Sequence, residues 1–134
     1  MAERDDPDAR RQDRRRVIGW LLDADVRRDL LLRIAPAYGE VVAHHVTLKS
    51  GAAPSEQAPE ADAPQVVGLA DDGKGVQALV VSIGGTTDRP GGGTYHITWS
   101  LGPGRRAVES NDVIAARGWS PLPSIPIRLE PADF

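Results

Sequence analysis

The chain has 134 residues, 40% of them apolar, no cysteine, and 16 basic against 19 acidic side chains for a formal net charge of -3. This is enough apolar material for one hydrophobic core and too short a chain for two ordinary domains, while the lack of cysteine excludes disulfide frameworks, thiolate metal sites and cysteine nucleophiles together. The charge argues against a protein that grips duplex DNA through many phosphates, and no apolar stretch approaches the roughly 20 residues of a membrane helix or resembles a secretory signal, so a cytoplasmic protein with no membrane association is expected.

Residues 1–16 interleave Glu3, Asp5 and Asp6 with Arg10, Arg11, Arg14, Arg15 and Arg16 and carry almost no apolar side chains. They read as a charged, disordered tail ahead of a single domain over residues 17–134; the aspartates weaken any field an arginine arm would offer to RNA. Val17 to Leu22 is an apolar run that suits a buried strand. Asp25 can cap a helix over Val26 to Ile34, with Val26, Leu30, Leu31 and Ile34 on one face and Arg27, Arg28 and Arg33 on the other, ended by Pro36. Val41 to Leu48 reads as the second strand, closed by Lys49-Ser50-Gly51.

Residues 52–64 lack periodicity and are expected to form a surface loop without chemistry. Gln65 to Asp71 and Gly75 to Ile83 flank Asp72-Gly73-Lys74, which predicts a β-hairpin. The glycine-rich residues 84–93 predict a flexible loop leading into a strand over Tyr95 to Leu101. Ala107 to Arg117 follows as a helix stopped by Gly118, and Ile125 to Leu129 as a last strand whose neighbours Pro123, Pro126 and Pro131 mark a sheet edge. Strands interrupted by two helices, with one hairpin, predict an α+β fold with helices outside largely antiparallel sheet.

One short pattern occurs twice: His45-Val46-Thr47-Leu48 and His96-Ile97-Thr98-Trp99 are each His, apolar, Thr, apolar, within a predicted strand. Alternation puts His45 and Thr47 on one face and Val46 and Leu48 on the other, and likewise for the second copy, so Tyr95 and Trp99, like Trp20, belong to the core. Any one such tripeptide is more often a satisfied half-buried histidine than a catalytic one. Two among only three histidines is, by average residue usage, roughly a one-in-a-thousand coincidence. If the strands share a cleft, the imidazoles can serve as the base and acid of an in-line displacement at phosphorus, and the threonine hydroxyls can donate to the non-bridging oxygens. His44 falls on the opposite face from His45 and reads as structural.

With these motifs the chain resembles the 2H phosphoesterase superfamily, defined by two His-x-Thr/Ser motifs with apolar residues at the intervening and following positions. The hairpin Asp71-Asp72-Gly73-Lys74-Gly75-Val76-Gln77-Ala78-Leu79 and the helix start Ala107-Val108-Glu109-Ser110-Asn111 are similar to the branch holding the cyclic phosphodiesterase domain of tRNA ligases and the "Swiss army knife" RNA-repair-like proteins. The resemblance covers nearly everything from Val17 to Leu129. It implies two pseudo-symmetric lobes of mainly antiparallel sheet with outer helices and a central cleft. It further implies a cofactor-free, metal-independent opening of 2′,3′-cyclic phosphates to a 2′-phosphate, with His45 and His96 catalytic and Thr47 and Thr98 holding the phosphate. The expected partners are RNA with a cyclic phosphate end or a cyclic nucleotide, and a monomer is expected. The tRNA ligases so resembled carry fused kinase and ligase domains that these 134 residues do not show, so a complete tRNA-splicing role is not expected.

Lys49, Arg105 and Arg106 follow the two motifs and can supply a cation to substrate, against the plainer reading of solvated loop charges. Ser110 and Asn111 can orient a group in the cleft or serve only as local caps. The glycine-rich loop lacks the Lys-Ser/Thr of a P-loop. Two rivals stand beside the phosphodiesterase: a noncatalytic nucleotide or RNA-end binding module with the same cleft, and a metal-dependent βαβββ enzyme for which Glu130 would be the convenient carboxylate.

Overall fold

The computed structural model describes residues 16–134, so the tail reading of residues 1–15 lies outside the described residues. Arg16 does not belong to such a tail: its guanidinium donates to the carbonyls of Ala53 and Glu56 and pairs with Asp133 at 3.3 Å. The fold is α+β, with two antiparallel sheets and two helices among the described residues. In chain order the elements are β1 (Val17–Leu22), α1 (Ala24–Arg33), β2 (Glu40–Val41), β3 (His45–Ser50), β4 (Gln65–Asp71), β5 (Val76–Ser82), β6 (His96–Leu101), α2 (Glu109–Arg117), β7 (Ser120–Pro126) and β8 (Leu129–Asp133). One sheet has the order β3-β1-β8 and the other β2-β6-β5-β4-β7. No helix among the described residues is long and apolar enough to cross a membrane.

The apolar run of β1 is explained by its central place between β3 and β8. Helix α1 starts two residues earlier than predicted. Its cap is Asp23, not Asp25: the Asp23 carboxylate accepts from the amides of Asp25 and Val26 at 3.1 Å and from Arg128 at 2.9 Å. The amide of Val26 is the main influence holding this carboxyl below its usual pKa. Leu30 is fully buried, and Val26, Leu31 and Ile34 pack beside it as the helical spacing predicts.

Two predicted strands are each two strands in different sheets. Val41 to Leu48 divides because β2 pairs with β6 while β3 pairs with β1. The amides of Val42 and Ala43 still donate to Trp99 and Thr98 of β6, both at 2.9 Å, and the carbonyl of His44 then accepts from Leu22 of β1 at 3.0 Å. The change of sheet happens at Ala43, which is fully buried and takes φ 45°, outside the extended region. Arg27, assigned to the solvent face of α1, instead donates through Nε to the Ala43 carbonyl at 2.9 Å and holds the kink. Ile125 to Leu129 divides in the same way, β7 ending at Pro126 in the larger sheet and β8 starting at Leu129 in the smaller. Both are sheet edges, as their prolines require.

The hairpin β4–β5 forms as predicted, its turn held by the Asp72 carboxylate accepting from the amides of Lys74 and Val76. The segment 52–64 has no strand or helix but is not purely superficial: Ala58 is in the core, and Trp20 Nε1 donates to the Pro59 carbonyl at 2.7 Å. The main core lies where the sheets meet and includes Trp20, Leu30, Val46, Leu79, Ile97 and Trp99. A second cluster, with Val76, Ala78, Val80, Val113 and Ile114, seats α2 on the larger sheet. At about 1.5–3 kcal/mol for each large apolar side chain fully buried, these contacts fix where the two motif strands stand.

Candidate functional site

Val46 and Ile97, the middle residues of the two motifs, are both fully buried in the same core. Alternation then turns His45 and Thr47, and His96 and Thr98, away from that core. All four line one cleft of about 280 Å³. The sheet crossing puts them there: the chain runs beside β6 as far as Ala43, whose amide donates to Thr98, and then turns into β3, so the second motif strand and the start of the first lie at one place.

The two motif strands are built alike to the residue. Across β1–β3 the pairs are Leu21 with His45, Trp20 with Val46 and Gly19 with Thr47; Leu48 is then passed over, and Ile18 pairs with Lys49 and Val17 with Ser50. Across β5–β6 the pairs are Val80 with His96, Leu79 with Ile97 and Ala78 with Thr98; Trp99 is then passed over, and Gln77 pairs with Ser100 and Val76 with Leu101. Each motif thus ends in a β-bulge, with a small residue opposite its threonine. At Gly19 the approach is so close that a Cβ would lie 2.1 Å from the Val46 carbonyl oxygen.

The first bulge decides which cation can reach the cleft. Strict alternation would carry Lys49 to the side of His45 and Thr47, but the extra residue reverses the faces and brings Ser50 there instead. Lys49 pairs with Glu56 at 2.8 Å and does not line the cleft. Arg105 does not line it either: it is held by Asp72 and Glu109, each at 2.9 Å, and by the Lys74 carbonyl. Among the described residues, the Lys or Arg that lines the cleft is Arg89, which is not among the residues singled out from the sequence. It sits in the 84–93 segment, which is tied by bridges between Ile83 and Thr86 and between Asp88 and Thr94 rather than being a free loop. Arg89 Nε donates to the Gly92 carbonyl at 3.0 Å and Nη2 to Asn111 Oδ1 at 3.3 Å. Its placement after two strands and before the second motif was the available signal.

The imidazoles are held differently. His96 Nδ1 donates to the Thr94 carbonyl at 2.8 Å, which fixes the hydrogen on Nδ1 and leaves Nε2 as the other ring nitrogen. Burial lowers its pKa below 6.5, the carbonyl partly offsets this, and Arg89 lowers it further. His45 has been moved down to about 4, by burial first and then by the neighbouring His44 and His96. His44 does not occupy the opposite face. It lies outside β3, after the kink, and its Nδ1 is 3.0 Å from His45 Nδ1, the rings nearly perpendicular at 82°. Phe134 covers the His45 ring with centroids 4.2 Å apart.

Thr47 is half-buried and lines the cleft, as does Thr98, but Thr98 is buried and tied to the start of α2. Thr98 Oγ1 lies 3.2 Å from the Ala107 carbonyl, to which it donates, and 2.9 Å from Ser110 Oγ. Ser110 is fully buried and reaches the site only through Thr98, whereas Asn111 lines the cleft and holds Arg89. Helix α2 begins at Glu109, two residues later than predicted, after turns through Ala107 and Val108.

Among the described residues no three His, Cys, Asp or Glu side chains are grouped to hold a metal ion, and Glu130 is exposed on β8 opposite Leu21. Comparison with family models, with curated proteins and with solved structures gives no significant match in any of the three.

Proposed function

We propose that this cleft opens 2′,3′-cyclic phosphates, on RNA ends or small cyclic nucleotides, by acid–base catalysis between His45 and His96, as in the 2H phosphoesterases that the sequence resembles. The observation that carries the reading is the convergence of both His-x-Thr motifs, on matching bulged strands, onto one cleft. The repeated strand pattern also supports two pseudo-symmetric lobes.

In this mechanism His45, neutral at ordinary pH because of its burial, takes a proton from water as the water oxygen bonds to phosphorus. The P–O3′ bond breaks on the opposite side, and His96 gives its Nε2 proton to the departing O3′, leaving a 2′-phosphate. Thr47 and Arg89 stabilise the charge gathering on the non-bridging oxygens. Burial alone would leave His96 neutral, but a bound phosphodiester places a negative charge in the cleft, which favours the imidazolium. The residues themselves supply every proton movement in this scheme.

A noncatalytic binding module is the second reading, favoured by one observation: burial lowers both imidazoles, and two neutral rings bind a nucleotide without protonating a leaving group. Turnover of a 2′,3′-cyclic nucleotide, measured with and without EDTA, separates the two. Hydrolysis that persists in chelator and disappears in both His45→Ala and His96→Ala supports the enzyme. Binding without turnover in the wild type supports the module.

A further inference from the structure

We infer that His44 is a positioning residue for His45, accepting the His45 Nδ1–H and thereby fixing the tautomer whose Nε2 lone pair is presented to the cleft. The inference rests on the acid–base reading of His45 and adds to it a residue outside both motifs. It starts from the contact between the two Nδ1 atoms at 3.0 Å. Two nitrogens at that distance share one hydrogen, so one ring donates and the other accepts.

The surroundings favour His45 as the donor. His44 is exposed, so its Nε2–H can be satisfied by water while its Nδ1 keeps a lone pair. His45 is half-buried, with its ring face against Phe134, and among the described residues its hydrogen-bonding partner is His44. A hydrogen on His45 Nδ1 is therefore paired, and the opposite nitrogen is free to take a proton. The kink at Ala43 makes this possible: in an unbroken strand consecutive side chains point to opposite faces, and two adjacent histidines could not meet. His44 thus does for His45 what the Thr94 carbonyl does for His96. In each case the partner at Nδ1 is not a carboxylate, so neither ring is pushed toward a permanent cation.

The test is long-range proton–nitrogen-15 NMR of the histidine rings in the full chain, with turnover of a 2′,3′-cyclic nucleotide as a second readout. The expected wild-type result is a protonated Nδ1 and an unprotonated Nε2 on His45, with a scalar coupling across the hydrogen bond between the two Nδ1 nitrogens. His44→Asn should keep that tautomer, because the amide oxygen can stand where Nδ1 stood. His44→Leu should lose it and lower kcat by about 10- to 100-fold with little change in KM. A wild-type His45 carrying its hydrogen on Nε2 would overturn the assignment, as would a tautomer unaltered in His44→Leu. Should the leucine variant fail to fold, the wild-type tautomer and coupling decide alone. If they are as expected but the wild type turns over no cyclic phosphate, the positioning stands and the acid–base reading of the cleft fails.

Discussion

The strand pairs β1–β3 and β5–β6 repeat the same ladder, with the same bulge after the same threonine, yet they surround their histidines with different partners. In β5–β6 the ring nitrogen meets a backbone carbonyl, and the threonine hydroxyl is tied down by α2. In β1–β3 the ring meets another imidazole at the end of a kinked crossing. A repeated backbone can place two like groups symmetrically, while unlike neighbours divide their chemical roles.

The largest expected effect tests that division. Replacing either His45 or His96 with Ala should lower kcat on a cyclic nucleotide by about 10²- to 10⁴-fold, the usual contribution of one positioned acid or base. The wild-type pH profile then separates the two. The base works when neutral, so kcat/KM should rise with pH through about 4, the value to which His45 is lowered. The acid works when protonated, so kcat/KM should fall again as pH passes the His96 value, which lies below 6.5. The optimum is therefore on the acid side of neutrality. A plateau extending to pH 8 would break the assignment of His96 as the acid.

Two of the candidate cations, Arg89 and Lys49, come next. Arg89 lines the cleft, and a charged hydrogen bond to phosphate contributes about 1.5–3 kcal/mol, so Arg89→Met should reduce kcat/KM by about 10- to 100-fold. Lys49→Met should leave it nearly unchanged, since Lys49 faces Glu56 on the other side of the bulge. Steady-state kinetics of the two variants side by side would reverse this conclusion if Lys49 proved the more costly.

The bulge itself can be attacked at its small residue. Gly19→Ala places a Cβ 2.1 Å from a backbone oxygen that cannot swing away, and overpacking of that kind costs about 1–3 kcal/mol. Ala78, the residue at the same ladder position in the other pair, already carries a Cβ, so Ala78→Gly should cost only about 0.5–1 kcal/mol. Urea unfolding of both would show whether the first bulge is the tighter.

These sites also mark where sequence reasoning stopped. The paired motifs, the hairpin at Asp72-Gly73 and the buried faces of Trp20, Tyr95 and Trp99 were legible because alternation and turn chemistry are local. The crossing at Ala43 was not, because its kinked conformation belongs to a non-glycine residue, and the apolar run continues through it. That one miss merged β2 with β3 and put His44 on the wrong face. The bulge at Leu48 is hidden as well: nothing in His45-Val46-Thr47-Leu48-Lys49 signals an extra residue, so position after the motif points to Lys49 while the bulge brings Ser50 to the cleft. Arg89 joins the site from the loop just before the second motif and Phe134 from beyond β8, through contacts that no periodicity encodes. Gly19 was the nearest thing to a clue, being a glycine within an otherwise apolar strand.

The smallest difference lies between the threonines. Thr98→Val removes the hydroxyl bonded to the Ala107 carbonyl and strands Ser110 Oγ, in a fully buried residue. An unpaired buried hydroxyl costs about 1–3 kcal/mol, so this variant should lose stability toward urea by about that amount. Thr47→Val replaces a half-buried strand residue with a β-branched isostere, and its stability should change by no more than about 0.5 kcal/mol. Its effect should be on turnover, because the hydroxyl it removes is open to the cleft. The Thr98 hydroxyl instead has its hydrogen directed at the helix start and must turn away from Ala107 before it can serve a phosphate. If Thr98→Val kept full stability while Thr47→Val unfolded, the hydrogen bonds that distinguish the two strands would be of no consequence to the fold.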